Sequence, residues 1–257
     1  MINLLGLIEM YNTYNVNNIY HDVADCLLKN YRHLDSMTSA QIADMCNVSP
    51  STLNRFFRKM AYPMTVSKLP EIASQTKDNY TYEGNYIPSG GNRIKESYAN
   101  YYIRSMQDGI TYLHNNIDEE QILKFVKDIQ SCKKVVFLGC PIPQEAWRFQ
   151  VDLTLRGIES CAFLDPNHQF EELEQLKEGT IVVYTQYCKF GIISYKKSIL
   201  ERKDKIYKLA LLVNNVEHPL SPIADYIFSY AGNGTEQDMI LLNMYINIIA
   251  LTFCKNE

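Results

Sequence analysis

The residues with the clearest chemical purpose lie between Thr38 and Met60, in the run TSAQIADMCNVSPSTLNRFFRKM. Ser51, Asn54, Arg55 and Arg58 recur at the three- and four-residue spacing that stacks side chains on one face of a helix. Hydroxyl, amide and guanidinium groups are the types that bond phosphate oxygens and base edges in a DNA major groove. Leu53, Phe56, Phe57 and Met60 follow the same spacing on another face, as a buried stripe does. A helix with these two sides fits either a helix-turn-helix, whose apolar side seats a recognition helix, or an ordinary helical hairpin with a solvated outer face.

The elements that must position this face are legible on either side of it. Thr38 with Gln41 three residues on fits a capping box. Ile42, Ala43 and Met45 give a first short helix an apolar side. Cys46-Asn47-Val48 reads as the turn, with Asn47 tolerating positive φ. Ser49 caps the second helix, and Pro50 takes its first position, where a missing N–H costs nothing.

Composition bounds the partners. With 257 residues, 46% hydrophobic and a net charge of −4, the chain can bury one large core or two modest ones and is not a basic nucleic-acid coat. Charge is uneven, however: from Ser49 to Lys77, Arg55, Arg58, Lys59, Lys68 and Lys77 stand against Glu71, a local +4. The seven cysteines form no CxxC pair and read as reduced thiols of a cytosolic protein. The five histidines have no metal-ligand spacing, and no cofactor is implied. Ile2–Met10 is too short and too poor in basic residues for a signal peptide, and no stretch of about 20 apolar residues predicts a membrane span.

Taken in order, residues 1–35 read as helical, Ala61-Tyr62-Pro63 as a stop, Val66–Lys77 as a further helix, and 78–93, rich in Gly, Asn, Ser and Pro, as a linker. Helices over about 94–115 and from Asp118 to Cys132 follow. Strands are then expected at 135–138, 161–164, 181–184, 208–213 and 227–228. Helices carrying Trp147, Val151 and Leu155, then 170–176, 192–201 and 239–253 separate or follow them. Alternation at this spacing predicts an α/β domain, 94–257, with a mainly parallel five-stranded sheet covered on both faces, preceded by an all-α domain, 1–77. Ligands of such sheets bind at the carboxyl ends of the strands.

With both halves in view, the chain resembles the RpiR family of bacterial transcriptional regulators, a helix-turn-helix followed by a sugar isomerase (SIS) domain. The matching text is IADMCNVSPSTLNRFFRKMAY, with Ala43, the turn residues Val48, Ser49 and Thr52, and the Arg55-Phe56 pair followed by basic Lys59. In the second half it is VVFLG (135–139), LRGI (155–158), VVYT (182–185) and NNVEHPLSPIADYIF (214–228). The resemblance implies a homodimer or higher homo-oligomer reading an inverted-repeat operator in double-stranded DNA, regulation of carbohydrate genes, and a cytoplasmic protein that is not an enzyme. Ser49, Ser51, Thr52, Asn54, Arg55, Arg58 and Lys59 are then the DNA-binding set. Arg58 and Lys59 would face phosphate, and Ser51, Asn54 and Arg55 base edges; Arg55 could equally brace the fold.

The same comparison exposes a departure. Where the family's first phosphate loop reads like GxGxS, this chain has Gly139-Cys140-Pro141-Ile142-Pro143. Prolines supply no N–H to a phosphate, and Glu145 sits in the first turn of the following helix, where a carboxylate repels one. Where the second loop reads like SxSGxT, this chain has Thr185, Gln186, Tyr187, Cys188, Lys189 and Phe190. Gly139, Cys140 and Thr185–Lys189 therefore form a degenerate effector site, poorly suited to ordinary sugar phosphates. It accepts a less charged ligand, or the domain serves dimerisation alone. The competing functions are a sugar-phosphate isomerase using Glu145 or Glu236 as base, and a non-catalytic interaction protein.

Overall fold

A computed structural model describes residues 2–60, 65–79, 96–139, 142–186, 199, 206–230, 232 and 237–255. The chain divides into two compact units, Met1–Thr81 and Tyr82–Glu257.

The first unit is all-α. It contains α1 (Ile2–Thr13), α2 (Ile19–Lys29), a 3₁₀ segment (Tyr31–Ser36), α3 (Ser39–Met45), α4 (Pro50–Lys59), a short 3₁₀ turn (Val66–Lys68) and α5 (Leu69–Asn79). Residues 1–35 are helical as expected, as two α-helices broken near Asn17, which takes φ 77°, and the 3₁₀ segment. Leu7, Val23, Leu27, Leu34, Ile42, Leu53, Phe56, Phe57, Leu69 and Ala73 close one apolar core. Every helix with a sizeable apolar stripe contributes to it, which is how short helices become stable in water.

The second unit begins with α6 (Tyr98–Asn116) and α7 (Glu119–Ser131). Then come β1 (Lys134–Leu138), α8 (Gln144–Leu155), β2 (Glu159–Cys161), α9 (Pro166–Glu174), β3 (Thr180–Gln186), β4 (Tyr207–Val213), β5 (Tyr226–Ser229) and α10 (Gln237–Lys255). The five strands form one sheet of order β2-β1-β3-β4-β5, every neighbouring pair parallel. Alternate strand residues feed two cores: Val135, Phe137, Ile181, Val183 and Phe228 on one face, Val136, Leu138, Val182, Leu209 and Leu211 on the other. Both faces are covered, so the strands read as unbroken apolar runs. The order reverses between β1 and β3, and their carboxyl ends define the crevice at which such sheets bind ligands.

Three expectations need correction. The second strand is Glu159–Cys161, not 161–164, because Gly157 (φ 73°) ends α8 in a left-handed turn and Val136 of β1 pairs with Cys161. Phe163 and Leu164, counted as strand from their apolarity, stand half-exposed beyond it. The next helix begins at Pro166 rather than 170, because Asp165 caps it by accepting from the Asn167 N–H. Finally, α10 is long and apolar enough to cross a membrane by length and composition, where no such stretch is expected; its Leu241, Leu242, Tyr245, Ile246, Ile249 and Phe253 are buried in the core of the sheet unit. Of the helix expected over 192–201 only Ile199 is among the described residues, and residues 80–93 of the expected linker lie outside them.

Candidate functional site

The α3–α4 pair is held by three local devices. Thr38 caps α3, its hydroxyl accepting from Gln41 N (3.3 Å) while Gln41 Oε1 accepts from Thr38 N (2.8 Å), a complete capping box. At the other end Asn47 takes φ 52°, Asn47 N donates to Asp44 O and Val48 N to Ala43 O. These bonds make a Schellman turn, with asparagine where glycine is usual. Ser49 then caps α4 by accepting from Thr52 N at 3.1 Å, with Pro50 at its first position. The turn is therefore fixed at both ends by hydrogen bonds within about ten residues of sequence.

Around α4 the two faces separate fully. Leu53, Phe56, Phe57 and Met60 have no exposed surface, whereas Ser51, Asn54, Arg55, Arg58 and Lys59 are exposed. Phe56 meets Phe57 edge-on and packs near Tyr20 of α2. Lys59 Nζ lies 5.3 Å above the Tyr20 ring, so this cation is already engaged by a π face at the end of the helix. The hydroxyls of Ser49 and Thr52 are 3.0 Å apart and belong to the cap; Ser51 Oγ lies 2.8 Å from Ser49 Oγ at its edge. Asn54, Arg55 and Arg58 form the outward polar row.

The crevice of the sheet unit is built differently. Gly139, the residue after β1, is clamped by Gln169 of α9: Gly139 N donates to Gln169 Oε1 and Gln169 Nε2 donates to Gly139 O, both at 3.0 Å. Gln169 Nε2 also donates to Phe163 O at 2.6 Å, and the side chain is 1% exposed. After β3, the Thr185 hydroxyl turns inward and donates to Leu138 O at 3.0 Å. His218 Nδ1 accepts from Leu220 N at 3.2 Å, which leaves the proton on Nε2, and Nε2 donates to Gln186 Oε1 at 2.7 Å. The Tyr230 hydroxyl donates to Gln186 O. Gly139, Thr185 and Gln186 are thus brought to one place and bonded to the protein itself. Cys140, Tyr187, Cys188 and Lys189, with Pro141 and Phe190, lie outside the described residues. Gln169, His218 and Tyr230 were not apparent in the sequence; each reaches its partner across at least 30 residues and carries no local motif.

The groups suited to acid–base, thiol or metal chemistry are few. Glu145, in the first turn of α8, is half-buried and pairs with Arg148 at 3.4 Å, while its N–H donates to Asn243 Oδ1. Glu236 lies outside the described residues. Burial pushes the Cys132 thiol up to about 11 and the Cys161 thiol up to about 12, and it raises Cys46 as well, with help from the neighbouring Cys26. Such thiols stay protonated at neutral pH and behave as small apolar residues. At the amino end of the sheet, burial opposes ionisation of Asp128, but hydrogen bonds from Lys208 and Tyr226 and the charges of Lys208 and Lys124 outweigh it and hold the carboxyl below its ordinary range. Among the described residues no three His, Cys, Asp or Glu side chains gather as a metal site would require.

No family model matches this chain, and no curated protein matches it. Solved structures do. Vibrio vulnificus NanR complexed with ManNAc-6P aligns over 98% of this chain and 92% of its own at 15% identity, TM-score 0.43. The sugar isomerase domain of an RpiR transcription factor from Sphaerobacter thermophilus aligns over 62% and 97% at 14% identity, TM-score 0.48. A candidate sugar-phosphate isomerase from Listeria monocytogenes aligns over 61% and 87% at 14% identity, TM-score 0.50. The sheet unit shares the fold of that last protein. At such identities the likeness speaks to fold and leaves the chemistry to the residues themselves.

Proposed function

We propose that this chain is a DNA-binding transcriptional regulator of the helix-turn-helix plus SIS type. On this reading the α-helical part, 1–77, docks α4 in the major groove, and the part from 94 onward joins two copies and senses an effector related to carbohydrate metabolism. The observation that carries the reading is the division of α4: four fully buried apolar residues fix it, and Ser51, Asn54, Arg55 and Arg58 face outward on a helix whose amino end is capped. Two copies would place their α4 helices about 34 Å apart, one turn of DNA, over an inverted repeat. Exposed Val151 and Leu155 on α8, with exposed Leu251 on the adjoining α10, offer apolar surface for self-association.

Specific binding by the purified protein in a genome-wide footprint is the direct test, followed by affinity at the recovered site across salt. Binding should fall steeply with salt as phosphate contacts release counterions. Arg55→Ala should weaken it by about 1–3 kcal/mol if the guanidinium reads a base. A folded Arg55→Ala variant with unchanged affinity and sequence preference removes this residue from the interface, and no preferred site for the wild type removes the reading.

A further inference from the structure

A cavity of about 400 Å³ lies between α6, the first turn of α10 and Gly232. Its size is that of small-ligand sites. Gln237, the first residue of α10, lines it and is 2% exposed. Its Oε1 accepts from Ser105 Oγ of α6 at 2.6 Å, and its buried Nε2 has no hydrogen-bond partner among the described residues. A buried donor without an acceptor is a standing cost, and an oxygen arriving in the cavity would relieve it. At two lining glycines the backbone is packed closely by side chains of α10. A Cβ at Gly232 would lie 2.1 Å from Asp238 Oδ2, and one at Gly109 would lie 2.6 Å from Leu241 Cδ1.

The remaining lining sets the class of ligand. Tyr101, Ser105 and Tyr112 supply hydroxyls, and two of these sit on aromatic rings that can cover a sugar face. Among the described lining residues, Asp108 and Asp238 carry carboxylates and Arg104, paired with Glu96, the one guanidinium. Carboxylates thus predominate among those residues, which disfavours a phosphate. We infer that this cavity binds an unphosphorylated polyhydroxylated molecule of monosaccharide size, neutral or amine-bearing, with an oxygen accepting from Gln237 Nε2. The site goes beyond the function proposed above and does not rest on it, because binding is measured without DNA.

The test is calorimetry on the full chain with glucose, glucosamine, N-acetylglucosamine and the 6-phosphate of each. At least one unphosphorylated sugar should saturate, with its 6-phosphate weaker by roughly tenfold or more. The double variant Ser105→Ala/Gln237→Met removes the hydroxyl–amide pair together with the orphan donor. It should melt no lower than the wild type yet bind that sugar roughly tenfold more weakly, because replacing both partners of a buried bond is nearly neutral for folding. Tyr112→Ala, at an exposed rim position, should also weaken binding without lowering the melting temperature. No saturable binding of any unphosphorylated sugar up to about 10 mM overturns the inference. A 6-phosphate that binds as tightly as its parent sugar does so too, as does undiminished affinity in either folded variant.

Discussion

On α4, Ser51, Asn54, Arg55 and Arg58 stand exposed on a helix whose other side is fully buried, whereas at the carboxyl end of the sheet Gly139, Thr185 and Gln186 are buried and bonded to other parts of the protein. Both regions are polar. The first presents its row of groups to solvent at little cost in folded-state bonds. In the second, a ligand would have to displace an internal partner for each bond it gained, and a typical exchange of that kind is worth only about 0.5–1.5 kcal/mol. An exposed polar row on a rigid helix is therefore evidence for an interface, while a polar crevice is evidence for a site only after its internal bonds have been counted.

The comparison is broken most forcefully at the buried side of α4. Phe56 is fully buried beneath the exposed polar row, so Phe56→Ala should cost about 3–5 kcal/mol, a large part of the 5–15 kcal/mol that holds a domain folded. Thermal melting should show it, and any DNA affinity should fall with it. Arg55→Ala, one position away and exposed, should leave the melt unchanged. Equal melting of Phe56→Ala and wild type would mean that the apolar side does not anchor the helix, and the exposed row would lose its rigid support.

In the crevice the corresponding experiment removes Gln169. Its amide satisfies Gly139 N, Gly139 O and Phe163 O, so Gln169→Leu leaves three backbone groups at least partly orphaned in a buried place. The expected loss is about 1–3 kcal/mol of stability, with faster amide exchange at Gly139. Unchanged exchange at Gly139 would show that the clamp is dispensable and that the crevice is more open to ligand than its bonds suggest.

What the sequence made legible follows from how far each interaction reaches. The capping box at Thr38, the turn at Asn47 and the cap at Ser49 each close within a few residues, and the Leu53–Met60 stripe repeats at helical spacing, so all four are visible in the text. The strand alternation was visible for the same reason, because buried parallel strands are continuous apolar runs. The edge of the sheet was less so: β2 is three residues long, and its position is set by pairing with β1 and by the left-handed turn at Gly157 rather than by its own apolarity. Gln169, His218 and Gln237 were out of reach altogether. Glutamine and histidine have no periodic signature, and Ser105 and Gln237 are 132 residues apart.

The smallest effect sharpens the comparison most closely, because it separates two serines two residues apart on the same helix end. Ser49 accepts from Thr52 N and so closes the first turn of α4, whereas Ser51 is exposed and touches the cap only through Ser49 Oγ. Ser49→Ala should therefore lower stability by about 1 kcal/mol, as loss of a cap does, whereas Ser51→Ala should stay within about 0.5 kcal/mol of wild type. Denaturant midpoints measure both quantities. On the proposed interface Ser51→Ala lowers affinity at constant stability. If the two substitutions instead destabilise the protein alike, the hydroxyls of Ser49, Ser51 and Thr52 act as one network. Ser51 then belongs to the helix end rather than to the reading face, and the outward row shortens to Asn54, Arg55 and Arg58.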